Sequence, residues 1–441
     1  MDDILETINT SLLIITSKLK EEFEYEIECV KGNKKIKLSE LESAVSNSAG
    51  SSSEISQPRP VIKPLINSEV FEVMASEEMS PWEESLFNDI AEGFLLGKFN
   101  KEILFKNHAL LHALWQRLHT GHWSDVPVSL KSSFTLGSVI LVGHMLRELQ
   151  DDICTHGENT EELIDKTWKV VLACDRGLLM GKPINNSPLP KVASLLNKYA
   201  VKNEDFKEIQ PPKEIDNFTP VETHPFPDIK VIETIALPPL QDFLLNYMEK
   251  IQPVKICGIA QEWPALTKWN FKYFSSIAGS RTVPVEIGLR YSDSDWSQKL
   301  MTINQYMGIC TSEGEDKEKA YLAQHQLLDQ IPELLCDIIV PDYCHMGERD
   351  PVYGHKLLLI FPESDTQFLY PFDDTILNNT SQINLEEVAS RPELLKTRPL
   401  LKNAKGYYLI LSPGDALYIP PKWWHYVRSL SNSISVSFWW R

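Results

Sequence analysis

The apolar pattern of this 441-residue chain changes period near its middle, and that change constrains the fold class more than any other feature. Between Ser80 and Ala200 apolar residues recur at helical spacing. Beyond Pro227 they come in short runs rich in β-branched and aromatic residues, bounded by Gly, Pro, Asn and Ser. A stretch of helices followed by a stretch of strands predicts an α+β multidomain protein, with an all-α N-terminal domain and a β-barrel or sandwich behind it.

In the helical half, Ser80-Pro81-Trp82-Glu83 reads as a helix start, with Ser as N-cap, Pro at the first position and acid in the first turn. Ile90, Phe94 and Leu95 continue its apolar stripe. Further helices are expected over 105–118, 136–149 and 163–180, the last ending near Gly181. Antiparallel helix pairs with short connections suit this spacing, and no fixed-period repeat is visible. Ahead of them, Ile4 to Ile27 also has helix-like spacing, followed by a Ser-rich tract from Ser46 to Ser56 that runs on to Pro64. Such a tract buries too little surface to order itself. The expected organisation is a helical segment (1–42), a Ser/Pro-rich linker (43–64), a helical domain (65–205), a second linker rich in proline and acid (206–228) and a β-rich domain (229–441). Strands are expected over 254–258, 282–287, 357–361, 407–411, 416–419 and 433–438.

Hydrophobic residues make up 43% of the chain and charged ones 24%, enough apolar surface for a sizeable core. The formal charge of -18 opposes wrapping nucleic acid and suits a basic protein or peptide partner. The seven cysteines form no C-x-x-C pair, so neither a disulfide framework nor a zinc ribbon is expected, and a reducing compartment fits. Met1-Asp2-Asp3 is acidic where a signal peptide is basic, and the apolar run 12–15 is too short to span a bilayer. Nucleus or cytoplasm is expected, with no membrane. The basic run from Lys31 to Lys37 reads as a solvated turn or an import patch.

The strongest local signal runs from Leu411 to Val427. Pro413-Gly414-Asp415 makes a tight turn, a short strand follows, and Pro420-Pro421 breaks it. Trp423, His425 and Val427 then share one face by period-2 alternation. An isolated Trp-Trp-His is ordinarily structural, but the whole pattern resembles the distal iron-ligand strand of JmjC-type cupin dioxygenases. Trp263-Pro-Ala265, Arg281 to Glu286, Tyr291 to Trp296, Tyr321 to Gln326, Pro341 to Cys344 and Val436 to Trp440 stand in the same order as in one branch of that family. So does Ala173 to Gly181 in the helical half. Together, from Ser80 to Arg441, they resemble the jumonji domain-containing protein 5 (lysine demethylase 8) family.

That resemblance implies a double-stranded β-helix barrel and an Fe(II)/2-oxoglutarate dioxygenase. Protein arginyl hydroxylation is the implied activity, with lysine demethylation and histone-tail cleavage also attributed to the family. The implied substrate is a basic histone, ribosomal or chromatin protein. The resemblance makes His425 the distal iron ligand and Lys356 the cation for the far carboxylate of 2-oxoglutarate. It makes Tyr291 a hydrogen-bond donor to that carboxylate, and Trp423 and Trp424 pocket walls.

The sequence departs from the family at the iron. The family carries a His-x-Asp pair and an Asn between its Pro-Asp-Tyr-Cys segment and its Gly-x-Lys strand. Here Asp342-Tyr343-Cys344 is followed almost at once by Gly354-His355-Lys356, as if a block of roughly 25 to 30 residues, two or three strands with turns, were deleted near 345–353. Of the eleven histidines, only His156 has an acid two residues on, Glu158, and it lies in the helical half. His345 and Asp350 flank the gap, and Glu348-Arg349-Asp350, which precedes Pro351, could stand in for His-x-Asp, as two carboxylates and one imidazole can hold a divalent ion. The simpler expectation is that two iron ligands are missing and iron is not held. The deletion should also strip partners from the strands over 357–361 and 434–438 and open the core.

Overall fold

Ser80 opens its helix as the sequence requires. Its N–H and hydroxyl donate to Glu83 Oε2 at 2.8 and 2.6 Å, and Arg117 of the next helix approaches the same oxygen to 2.8 Å. The acid in the first turn thus satisfies orphan donors and ties two helices together. In this computed structural model the described residues are 2–22, 24–28, 35–36, 62–65, 80–95, 100–120, 125–156, 160–184, 186–200, 226, 228–288, 296–312, 320–322, 325–346, 350–353, 356–373 and 377–438. They group into two compact units: Met1–Lys207 with Asn270–Glu333, and Glu208–Trp269 with Leu334–Arg441.

Among the described residues the first unit holds six long helices: α1 (Asp2–Glu22), α2 (Pro81–Leu95), α3 (Lys101–Leu118), α4 (Val128–His156), α5 (Thr160–Met180) and α6 (Pro188–Ala200). Asn100 caps α3 by accepting from Ile103 N–H at 2.8 Å. Leu110, Leu114, Ile140, Leu146, Val171, Leu189 and Leu196 are buried in one apolar core, joined by Ile4, Ile8 and Ile15 of α1. The helix expected from Ile4 to Ile27 ends earlier. Glu24–Glu28 is a strand, β1, paired with β2 (Lys35–Ile36) and β3 (Ile62–Leu65), because Tyr25 and Ile27 alternate with acids at period 2. The linker expected over 43–64 therefore overlaps β3 at its end. Pro64 is tolerated there because β3 is an edge strand. The rest of the 43–61 stretch, like Lys31 to Asn33, lies outside the described residues.

Asn270–Glu333 groups with the helices rather than with the β-rich span 229–441 expected from the sequence. It contains α7 (Phe271–Ala278), β7 (Thr282–Ile287), β8 (Ser297–Thr302), α8 (Ile303–Thr311) and β9 (Ala320–Tyr321), with strand order β8-β7-β9. A buried polar cluster explains the grouping. Arg281, fully buried, donates through Nε and Nη2 to Asp175 Oδ1 of α5 at 2.9 and 2.8 Å. Asp175 Oδ2 accepts Thr282 N–H at 2.6 Å. Gln330 Nε2 donates to Asp175 Oδ1 at 2.7 Å and to Thr282 O at 2.8 Å. Both amide hydrogens of Gln330 are then used, so its Oε1 accepts from His325 Nε2 at 2.6 Å, and that nitrogen carries the ring proton.

Burial disfavours the charged form of three histidines of this unit. Burial takes His144 down to about 4 and also lowers His108 and His325. Glu148 opposes the shift at His108, and the Gln330 contact opposes it at His325. A depressed folded pKa means the unfolded chain takes up the proton first. Stability is then full above pH 6.5 and falls as pH drops from 6.5 toward 4. The slope is at most about 1.4 kcal/mol per pH unit for each histidine. Urea midpoints between pH 7 and 4.5 are expected to fall less steeply in His144→Gln than in the native chain. Parallel profiles would show that His144 titrates normally.

The second unit carries two sheets. One runs β14 (Trp424–Ser429), β11 (Lys356–Phe361), β12 (Tyr407–Leu411) and β4 (Lys230–Val231); the other runs β15 (Ile434–Ser435), β10 (Asp350–Tyr353), β13 (Ala416–Tyr418), β6 (Val254–Cys257) and β5 (Thr234–Ala236). Among the described residues these sheets do not close into a barrel. The open core expected from the deletion is not found at β11. Every residue of β11 is buried, and the strand pairs with both β12 and β14. Residues bordering the join form β10, which pairs Asp350 and Pro351 with β13, and Val352 and Tyr353 with β15. A short local strand thus occupies the place between β13 and β15 and satisfies backbone groups that would be left bare. The strand expected over 433–438 is only Ile434–Ser435. Phe226, near the end of the expected linker 206–228, is buried against Phe361 with ring centroids 4.7 Å apart; residues 206–225 lie outside the described set.

Candidate functional site

The Pro413-Gly414-Asp415 turn forms as its composition dictates. Gly414 has φ +88°, and a Cβ there would lie 2.7 Å from Gln261 Nε2. Asp415 accepts Ser412 N–H at 3.2 Å and pairs with Lys255 of β6 at 2.7 Å, which fixes the turn to the neighbouring strand. The chain then passes through β13, breaks at Pro420-Pro421 and returns as β14.

Register decides which side chains share a face. His425 stands opposite Ile360, Val427 opposite Leu358 and Ser429 opposite Lys356. Directly opposed residues project to one side, so His425 and Lys356 lie on the same face of the sheet, four positions apart, about 13 Å along the strand. Lys356 is buried, 3% exposed, and its Nζ donates to Ser435 Oγ of β15 at 2.6 Å. His425 is exposed, and its Nδ1 lies 3.4 Å from Trp423 O.

The two tryptophans divide between the faces. Trp423 sits on the side of Leu358 and Ile360, with its ring 6.1 Å from that of Tyr407. Trp424 packs on the opposite side with Phe361 and Leu369, and its Nε1 donates to Thr366 Oγ1 at 2.9 Å. Only Trp423 therefore shares a face with His425. Tyr291 and Gly354-His355 lie outside the described residues, as do the side chains of His345 and Asp350. Ser435 is a partner of Lys356 that sequence reasoning passed over. Its signal was the strand expected over 433–438, read for its apolar residues rather than for the hydroxyl between them.

The comparisons with known proteins bear on this site. A cupin-like domain family model matches residues 351–441, beginning directly after Asp350. Lysine-specific demethylase 8 of Danio rerio is 34% identical over 366 residues, covering 74% of this chain and 84% of that protein. The chain belongs to the jumonji domain-containing protein 5 (lysine demethylase 8) family. Jumonji C domain-containing protein 5 of Drosophila melanogaster is 32% identical, with 75% and 85% covered, and lysine-specific demethylase JMJ30 of Arabidopsis thaliana 31%, with 74% and 83%. The helical N-terminal region and C-terminal cupin domain expected from the sequence are those of this JmjC oxygenase family, which generally uses Fe(II) and 2-oxoglutarate.

Among the described residues the donor set does not fit the iron. A facial triad brings two imidazoles and a carboxylate to one ion. On the face of His425 the neighbours are Trp423 and Val427, and across the sheet Leu358 and Ile360; none can ligate iron. β14 is the end strand of its sheet among the described residues, so on the side away from β11 no described strand runs alongside His425 to supply the other two donors. Among the described residues no three His, Cys, Asp or Glu side chains come together as a metal group. Lys356 keeps the buried cationic position that the resemblance assigns to 2-oxoglutarate. Among the described residues no helix is long and apolar enough to cross a membrane.

Proposed function

We propose that this chain is an iron-deficient member of a JmjC protein hydroxylase family and acts without catalysis, as a protein-binding module. The carrying observation is His425, with no second imidazole or carboxylate beside it on its face among the described residues, in a chain whose 441 residues contain no His-x-Asp. One imidazole does not hold iron against water. In this reading a form that contains the missing block is the enzyme: an Fe(II)/2-oxoglutarate-dependent hydroxylase of arginyl side chains in a basic nuclear protein, with demethylase or peptidase action as the family's other attributed outcomes. The acidic charge of -18 supports a basic peptide over transfer RNA. Buried Lys356 is, in this reading, the remnant of a carboxylate site. The helical unit, which contains none of the deletion, carries the protein contacts, and the short form competes with the enzyme for partners.

Anaerobic ferrous titration tests the first part. The expected result is no saturable one-to-one binding and no 2-oxoglutarate consumption above buffer. Tight one-to-one binding that disappears in His425→Ala would overturn it. For the second part, the short form should capture partners that the block-containing form captures.

A further inference from the structure

Residues 391–405 carry five cations, Arg391, Lys396, Arg398, Lys402 and Lys405, against one acid, Glu393, in a chain of formal charge -18. Arg391 is paired with Glu387. Lys396, Lys402 and Lys405 are exposed, and no carboxylate among the described residues pairs with them. Leu400 stands among them 41% exposed.

The backbone that displays these side chains is fixed. It forms two consecutive 3-10 turns, Pro392–Thr397 and Pro399–Asn403, each opened by a proline that presets φ. Leu401 and Ala404 anchor it in the core, at 1% and 0% exposure. Asp365 Oδ2 accepts the Lys405 N–H at 2.5 Å. Tyr370 supplies the remaining clamp. Its hydroxyl accepts Leu400 N–H at 3.0 Å, and its ring lies 5.3 Å from the Arg398 guanidinium carbon. Tyr370 does this at φ +51°, a left-handed conformation that a bulky aromatic residue rarely adopts. Strain of this kind persists where the surroundings impose it, and it gathers at sites of function.

We propose that the 392–405 double turn is a docking surface for an acidic protein segment bearing an apolar side chain for Leu400. A fixed backbone spares the cost of ordering the loop on binding, and opposite charge speeds the encounter. Nucleic acid fits less well. A duplex is charged along its whole length and would meet the acidic surface beyond the patch, whereas a short segment meets the patch alone. This surface is independent of the iron-deficiency reading.

The test uses the full chain and a fluorescein-labelled peptide of alternating Glu and Leu-containing triplets, read by anisotropy at two salt concentrations. Binding is expected to weaken at least tenfold in Lys396→Glu/Lys402→Glu/Lys405→Glu and to fall with salt. The triple Lys→Gln variant, milder for folding, is expected to show a smaller loss in the same direction, with an unchanged thermal midpoint. Absence of peptide binding, or binding unaffected by either variant, overturns the proposal. A labelled DNA duplex that binds equally well would also overturn it, by assigning the surface to a polyanion.

Discussion

Replacing Arg281 with Ala is expected to lower the stability of the helical unit by about 3 to 5 kcal/mol, because it leaves Asp175 charged and fully buried without its cation. Asp175 would keep Thr282 N–H and Gln330 Nε2, two neutral donors, in place of the ionic contact. Arg281 also donates to Gln330 O, so the connection between β7 and the segment after β9 loosens in the same variant. Removing both partners, as Asp175→Leu with Arg281→Met, is expected to cost less than the single change, since no charge remains buried. Urea unfolding of the full chain followed by far-ultraviolet circular dichroism separates the cases. A loss below about 1 kcal/mol in Arg281→Ala, the range of an exposed ion pair, would mean that this pair does not hold Asn270–Glu333 to the helices.

This clamp marks the boundary of what the sequence discloses. β7 and β12 lie where their residue patterns place them, because each is a run of apolar and β-branched residues closed by a breaker, information confined to six or so neighbours. The helix starts at Ser80 and the tight turn at Gly414 are equally local. Asp175 and Arg281 are 106 positions apart, and neither has a neighbour whose spacing names the other. The same holds for Lys356 and Ser435, 79 positions apart. At the site, the resemblance singles out His425 and Lys356, and register places them on one face of the sheet. The position of β10 was not legible. Asp350-Pro351-Val352-Tyr353 is a weak strand by composition, and it forms between β13 and β15, where backbone donors and acceptors would otherwise face no partner. Propensity gives way there to pairing.

Restoring the missing block is expected to convert the chain from one without measurable 2-oxoglutarate consumption to one with steady turnover. The block would replace residues 345–353 and carry a His-x-Asp pair on a strand able to lie beside β14. The argument rests on what His425 lacks. Its own face offers Trp423, Val427, Leu358 and Ile360, none of which binds iron, and β14 ends its sheet among the described residues. A strand added at that edge would complete the backbone ladder and set a second imidazole and a carboxylate next to the first. Even partners one step removed from a metal are worth 10- to 100-fold in affinity, so two direct ligands should raise ferrous affinity by at least about 100-fold. Lys356 sits buried on the same face, and the proposed reading assigns it to the far carboxylate of the keto acid. Changing the added His to Ala should return the protein to background while leaving its thermal midpoint in place, and Lys356→Met should raise the 2-oxoglutarate requirement without abolishing iron binding. If the restored chain binds iron and folds but consumes no 2-oxoglutarate, then the block is not what separates this chain from its catalytic relatives. The cause would then lie in the remainder of the face, with Trp423 the first residue to exchange.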